Sequence, residues 1–503
     1  MGYLVAQEKQ LYFENQPVIL RGVGFGGWLN LEGYLWNLVT PYDRSRTIES
    51  LIQEILGSEE AKEAFLHHYE DCFITEEDFR YVASLGLNSV RVPFNSRRLW
   101  KNGALVPEEI RHLDDAVKWG KKHHLFVFLD CHAAPGGQTG ANIDDTADDF
   151  PHLFTEPKYQ DELVHLWVAL AERYQSEEWV GGYDLLNEPL KPEYSPYEAR
   201  LLPLYRRLVH AIREVDPHHM LVLEGSHWAT DFTPLSGLSP EEMQDNLLFQ
   251  FHKYWNAPDR ESLSHYLAFQ KQFNIPLWCG ETGENNRDWY ALTFPLLERE
   301  GIGWCFWAYK KMENRNGFSC FSVPPYWNEM ESYSQGGPFP RHGKEALQGL
   351  LDSIQHAEYQ DKTASACLRL PSTTIPAVSY DDWEVHTPRH GGVLFRETDP
   401  VSIAFLDGHQ GAPNFHCPAG EPFASEDTMY VPLEAGEALI YHLSTPTEVF
   451  VDIVPHGDGV FRVTVDGKEG NQFFLSRGVK HLLRIQSEKD GSRLMSVELN
   501  KPH

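Results

Sequence analysis

The sequence predicts an α/β protein: a closed (β/α)8 barrel followed by an antiparallel β-sandwich. Three observations carry that expectation. Eight short β-rich apolar runs recur through the first 310 residues, with helical patterns between them. The runs are apolar throughout rather than alternating, as strands buried on both faces of a parallel sheet are. Past residue 360 helical periodicity stops, and short strands with glycine turns take over. Eight strands alternating with helices fit a closed barrel. An open doubly wound sheet is the alternative. It lacks a dinucleotide fingerprint, since "GVGFGG" (22–27) runs into "WLNLEGYLWN", which does not open like a helix.

The elements follow in order. "LYFENQPVILRG" reads as a hairpin about "ENQP" leading into the first strand. The eight strands are 18–26, 89–94, 125–133, 179–189, 220–226, 247–254, 276–283 and 301–310. The irregular segment 27–88 is expected to add helices near the mouth. A helix starts at Thr75, with Asp78 completing a capping box, and ends at Gly86. Another, "PEEIRHLDDAVKWGKKHH", carries Ile110, Leu113 and Val117 on one face, with acids early and bases late. Further helices fall near 160–175, 197–215, 259–273, 287–299 and 343–356. The predicted domains are 1–358, the barrel with its hairpin, and 359–503, the sandwich. In the latter, strands such as "GGVLFRE", "VSIAFLDG", "TMYVPL" and "EALIYHLS" lie between turns such as "HGDG" and "EKDGSR".

Composition narrows the partners. The chain has 503 residues and a net charge of -30, which argues against nucleic acid. Aromatics reach 13%, with 14 Trp, as in chains that stack on sugar rings, although most must be core. The seven cysteines include no CxxC pair, so reduced thiols and a cytoplasmic location are expected. A secreted protein whose leader has been removed is the other reading. No apolar run reaches the roughly 18 residues that span a membrane. Oligomeric state is not legible.

Chemistry gathers at strand ends. In a parallel barrel every carboxyl end lies on one rim. The second strand brings Arg91 there, the third Asp130 and His132, the fourth Asn187 and Glu188. The fifth brings Glu224, the sixth His252 and Tyr254, the seventh Glu281 and the eighth Trp307. Glu188 and Glu281 are the central pair. Two carboxyls across a sugar ring hydrolyse a glycosidic bond, one protonating the leaving oxygen and the other attacking the anomeric carbon. Arg91 is the cation that keeps one of them ionised. Asn187 suits the sugar 2-hydroxyl, and Tyr254 can orient the nucleophile. Pro189 ends the strand so that the carboxyl faces a cavity.

These motifs resemble glycoside hydrolase family 5. "LNEP" with Glu188, "GETG" with Glu281, "RVPF" with Arg91, "DCHAAPGGQTG" with His132 and "HKY" with His252 and Tyr254 come in that family's order, over residues 15–355. The resemblance implies a retaining double displacement, with Glu188 as acid/base, Glu281 as nucleophile, Trp307 as a subsite tryptophan and no metal or other cofactor. "RGVGFGGWLNLEG" looks most like the exo-β-1,3-glucanase branch, which includes glucosidases acting on glycolipids. There the match implies that Glu32 holds the nonreducing sugar. "GETGENN" and "WAYKKMENRNG" depart from the branch.

Other groups were weighed. Glu284 reads as a loop residue that binds substrate or nothing, and Glu224 as structural or as a support behind the catalytic groups. His67, His68, Glu70 and Asp71 read as surface, without zinc spacing. Among Trp28, Trp36, Trp228, Trp255 and Trp289, two or three are expected to be sugar platforms. The sandwich resembles appended carbohydrate-binding jelly rolls, and a stabilising lid on the barrel is the preferred reading. The function expected is a retaining β-glycosidase, exo-acting on β-glucosides or β-1,3-type gluco-oligosaccharides. An endo-glucanase or mannanase, a glycosylceramidase and a non-catalytic sugar-binding protein are the alternatives.

Overall fold

The structure is a computed structural model that describes residues 2–239, 241–242, 246–313, 316–389 and 391–502. Eight parallel strands close into a barrel: β1 (Arg21–Gly24), β2 (Ser89–Asn95), β3 (Phe126–Ala133), β4 (Val180–Asp184), β5 (Met220–Glu224), β6 (Leu247–Lys253), β7 (Leu277–Gly283) and β8 (Gly303–Trp307). Each pairs with the next, and β8 pairs with β1. Helices Glu76–Ser84, Pro107–His123, Pro157–Tyr174, Leu201–Arg213, Ser264–Phe273, Arg287–Arg299 and Gly343–Gln355 alternate with them. The capping box forms, with the Thr75 N–H donating to Asp78 Oδ2 at 2.8 Å. The segment before β2 holds two more helices, Ser45–Leu56 and Glu59–Phe73. Among the described residues no helix is long and apolar enough to cross a membrane.

Strand alternation sorts the barrel interior into layers. Phe126 and Phe128 precede Asp130 and His132 on β3, Met220 and Val222 precede Glu224 on β5, and Leu248 precedes Gln250 and His252 on β6. The apolar members, with Trp278 and Cys305, form a core of their own at the N-terminal end. Leu4, Leu11 and Leu20 close it from below. Leu11 belongs to a three-stranded N-terminal sheet, Val5–Gln7, Gln10–Phe13 and Gln16–Val18, which Leu4 precedes and Leu20 follows, and which turns at Glu14 and Asn15 with φ of 50° and 61°. The floor of the barrel is therefore dry, and every charged inward side chain lies toward the C-terminal mouth.

The expected fourth strand is shorter than predicted. Its ladder stops at Asp184. Beyond it the chain borrows single bonds from both neighbours: the Leu185 N–H donates to Val222 O and the Asn187 N–H to Cys131 O, each at 3.2 Å. Glu188 and Leu190 then take left-handed φ of 44° and 55° on either side of Pro189. Such backbone strain in non-glycine residues concentrates at functional sites.

The C-terminal part is two antiparallel sheets. One contains Ala404–Phe405, Met429–Leu433, Ser492–Asn500, Val449–Asp458 and Gln472–Leu475, with Thr373–Pro376 on the same long strand. The other contains Asp382–Glu384, Ala438–Leu443, His481–Ser487, Phe461–Val465 and Lys468–Glu469. "GGVLFRE" is not a strand. Gly391 passes so close to Ile403 that a Cβ would meet its carbonyl oxygen at 1.9 Å, and Arg396 turns the chain at φ 55°. A helix, Asp361–Leu368, precedes these sheets where no helical pattern was read, because eight residues are too few to show periodicity.

Candidate active site

Arg91 is the hub of the charged layer. It is fully buried and donates Nε to Asp184 Oδ2 at 2.8 Å, Nη1 to Glu281 Oε2 at 2.7 Å, and Nη2 to Asn187 Oδ1 at 2.9 Å and Glu224 Oε1 at 3.1 Å. Asp130 Oδ1 stands 3.2 Å from Nη2. One guanidinium thus faces four carboxyls in a dry interior, and they cannot all be charged. Burial, with Glu224 and Asp130 beside it, raises the Asp184 pKa well above the ordinary carboxylate value despite the pull of Arg91. Two imidazoles supply further positive charge. Burial disfavours charge on His132, but Asp130 Oδ2 at 2.7 Å from Nδ1 outweighs it and lifts its pKa to about 9. Burial likewise opposes charge on His252, while Glu281 and Glu224 lift its pKa well above the ordinary value.

The two predicted carboxyls meet. His252 Nδ1 lies 2.7 Å from Glu188 Oε1 and 3.8 Å from Glu281 Oε1, and one donor atom from each of the three residues lies within 4.8 Å of the others. Glu281 Oε1 also accepts from the Tyr254 hydroxyl at 2.8 Å. Burial holds the Glu281 pKa above the ordinary value, against the pull of His252 and Arg91. The β6–β7 register slips between Phe251 and His252, and the β7–β8 register slips between Cys279 and Thr282. This bulge turns Glu281 into the barrel. It requires Gly280, where a Cβ would meet Gln250 Cδ at 2.1 Å. Glu188 is held by its backbone, whose N–H donates to Glu224 Oε2 at 2.6 Å. The spacing of Glu188, His252 and Glu281 would also fit a cation.

A second cluster lines the opposite half of the mouth. His132 stacks on Trp307, with ring centroids 5.2 Å apart and planes 6° from parallel. Its Nε2 is 3.6 Å from Glu32 Oε1. Burial pushes the Glu32 pKa up to about 8. Trp307 Nε1 donates to the Tyr34 hydroxyl at 2.8 Å.

All nine predicted site residues therefore fall in one connected cluster at the mouth. Sequence reasoning missed Gln138, whose Nε2 donates to His132 O at 2.8 Å and Asn187 O at 2.7 Å, tying one half of the site to the other. It also missed Asp184 and Gln250 beneath Arg91 and His252. A lone acid inside the apolar run "YDLL" was the available signal. Glu224 lies buried behind the pair, accepting from Arg91 Nη2 and from the Glu188 N–H. Glu284 is ion-paired with Lys311. Glu70 is not on the surface: it is buried and stands 3.1 Å from Arg98 Nη2 and 3.2 Å from His112 Nε2, because the helix carrying it folds onto the barrel. Trp28, Trp36 and Trp289 are core, so only Trp228 and Trp255 of the five candidate platforms are exposed. In "WAYKKMENRNG", Asn314 and Arg315 lie outside the described residues.

Comparison with known proteins agrees with this geometry. Residues 57–313 match the family model for cellulases, glycosyl hydrolase family 5. A "Beta-xylosidase" of Phanerodontia chrysosporium is 37% identical over 352 residues, covering 62% of this chain and 71% of the relative. A "Probable glucan 1,3-beta-glucosidase A" of Aspergillus fumigatus is 31% identical over 224 residues, and the chain spans only about half, 51%, of that relative. The solved structure of an endogalactoceramidase superposes over 99% of this chain and 100% of its own, with a TM-score of 0.50 and 16% identity, a likeness of fold alone.

Proposed function

We propose, from the premise that this chain belongs to the cellulase family, glycosyl hydrolase family 5, that Glu188 is the acid/base and Glu281 the nucleophile of its reaction. The protein is a retaining β-glycosidase, and its substrate is a carbohydrate. In the first step a Glu281 oxygen bonds to the anomeric carbon as the glycosidic C–O bond breaks, and the Glu188 proton passes to the departing oxygen. In the second, Glu188 takes a proton from water, the hydroxide oxygen bonds to the anomeric carbon and the ester to Glu281 breaks. The observation that carries this reading is the approach of the two carboxyls to within 4.8 Å. That bound on one oxygen of each is compatible with the roughly 5–5.5 Å between the carboxyls of retaining enzymes and lies short of the roughly 6.5–9.5 Å that leaves room for water in inverting ones.

Each neighbour has a role in these steps. Arg91 and Tyr254 draw the Glu281 charge into place. His252 positions the Glu188 carboxyl. Asn187 has its Oδ1 fixed by Arg91, and its amide nitrogen, 3.4 Å from His132 Nε2, is the group that meets the sugar 2-hydroxyl. Glu32, His132 and Trp307 receive the sugar ring. A buried acid at the far end of that ring supports exo action, in which the pocket ends at the nonreducing sugar. The β-glucosides and β-1,3-type gluco-oligosaccharides are the substrates this reading favours.

Substitution tests the roles. Glu281→Gly is expected to lower kcat at least about 10⁴-fold on an aryl β-glycoside. Azide should restore part of the rate and give the α-glycosyl azide, and full activity without azide sinks the assignment. Glu188→Ala should spare the first step on substrates with good leaving groups while slowing poor ones about 10²–10⁴-fold. An equal loss on both kinds counts against the acid role.

A further inference from the structure

The sandwich reaches the rim of the barrel beside Glu281. Asn285, on the loop after β7, donates Nδ2 to Phe415 O at 2.8 Å, and its neighbour Asn286 donates Nδ2 to Glu421 O at 3.0 Å. Asn316, on the loop after β8, donates Nδ2 to Asn285 O at 2.9 Å and Pro418 O at 3.4 Å. Tyr290 closes the clasp, accepting from the Asn285 N–H at 3.0 Å and donating to Asn316 O at 3.1 Å. Gly420 is pressed so close that a Cβ would stand 2.9 Å from Asn316 Cβ. The segment "FHC" within this clasp alternates: Phe415 and Cys417 are buried, and His416 is exposed. Its imidazole faces Trp255, with ring centroids 5.2 Å apart. Trp255 is 39% exposed, follows Tyr254 and is anchored by its Nε1, which donates to Glu284 O at 2.8 Å.

We propose that the sandwich is a working part of the catalytic mouth, and that His416 and Trp255 form the wall against which the leaving group packs. The proposal rests on the hydrolase reading above. Barrel order divides the mouth. Glu32, His132 and Trp307 come from the β1, β3 and β8 ends and enclose the sugar. His252, which touches the Glu188 acid oxygen, comes from β6, and Trp255, three residues later, from the loop that follows it. The leaving group departs beside the acid that protonates it, so it passes over the β6 side. An indole backed by an imidazole offers a flat apolar face there, suited to an aryl group, a second sugar ring or another flat aglycone. The clasp through Asn285, Asn286 and Asn316 fixes the position of that wall relative to Glu281.

The test compares two substrates that share one sugar: the 4-nitrophenyl β-glycoside and the β-glycosyl fluoride, whose leaving group is too small to reach the wall. The sugar used is the one the wild type cleaves fastest. His416→Ala is expected to lower the ratio of kcat/KM, aryl over fluoride, about fivefold, and Trp255→Ala by a similar factor. The double variant should fall little further than either single one. His416→Phe, which keeps a ring, should restore the ratio, and thermal melting of each variant separates these effects from loss of fold. An unchanged ratio in His416→Ala, or an equal loss on both substrates, overturns the proposal and leaves the hydrolase reading intact. A wild type that cleaves neither substrate overturns both.

Discussion

At the scale of single residues, the site is a problem in sharing charge. Arg91 meets Asp130, Asp184, Glu224 and Glu281 in a buried space. One cation cannot neutralise four anions in low dielectric, so burial pushes the Asp184 pKa up, and the neighbouring carboxylates raise those of His132 and His252. With Glu281 as the proposed nucleophile, its protonation state decides activity, because only the ionised form can attack carbon. Burial raises its pKa, so the acid limb of kcat/KM is expected above the ordinary carboxylate range. The Tyr254 hydroxyl stabilises the ionised form through Glu281 Oε1. Tyr254→Phe removes that bond, favours the protonated acid and should move the acid limb up by about one pH unit, with kcat about tenfold or more lower. A pH–rate profile checks the sign; a limb that stays or moves down shows that the hydroxyl does not hold Glu281. The residue types at strand ends announced this chemistry from the sequence. Asp184 and Gln250 escaped notice because their importance lies in what they touch from neighbouring strands.

At the scale of elements, the strands position the two carboxyls by departing from regularity. β4 ends early and gives way to left-handed turns at Glu188 and Leu190, while β7 bulges at Glu281. A regular strand alternates its side chains between the two faces, so a carboxyl reaches the hollow at the needed depth only where the ladder is broken. Gly280 makes the second break possible. Gly280→Ala would drive a methyl group into Gln250, which donates to Glu224, which in turn holds the Glu188 N–H. The expected result is a loss of kcat of about 10²-fold, larger than the accompanying fall in melting temperature would suggest. Near-normal kinetics would show that the bulge has slack. Apolar runs located the strands to within a few residues, but the bulge and the short β4 left no mark on hydrophobicity, since the side chains there are buried either way.

At the scale of the whole molecule, the barrel and the sandwich share a surface. Helix Asp361–Leu368 buries Ala364, Ala366 and Cys367. The Ser379 hydroxyl donates to Ala291 O at 2.5 Å, and the amides of Asn285 and Asn286 donate to sandwich carbonyls. A chain truncated after Gln360 would expose this apolar seam and strand those polar groups without their partners. It is expected to aggregate, or to melt about 10 °C or more below the full chain. A truncated chain that runs as a monomer in size-exclusion chromatography with full melting temperature would show that the barrel stands alone. The sequence marked the change of texture near residue 360, because strands packed in a sandwich alternate and barrel strands do not.

By itself, the sequence determined the barrel, the sandwich and the identity of the acids at the rim. Those depend on periodicity and on which residues end each strand, which are local properties of the chain. Only the tertiary structure decided how far apart Glu188 and Glu281 stand, which tryptophans are exposed and where the sandwich touches the mouth. Each of these is a relation between segments tens or hundreds of residues apart, set by ring closure and packing rather than by any local pattern.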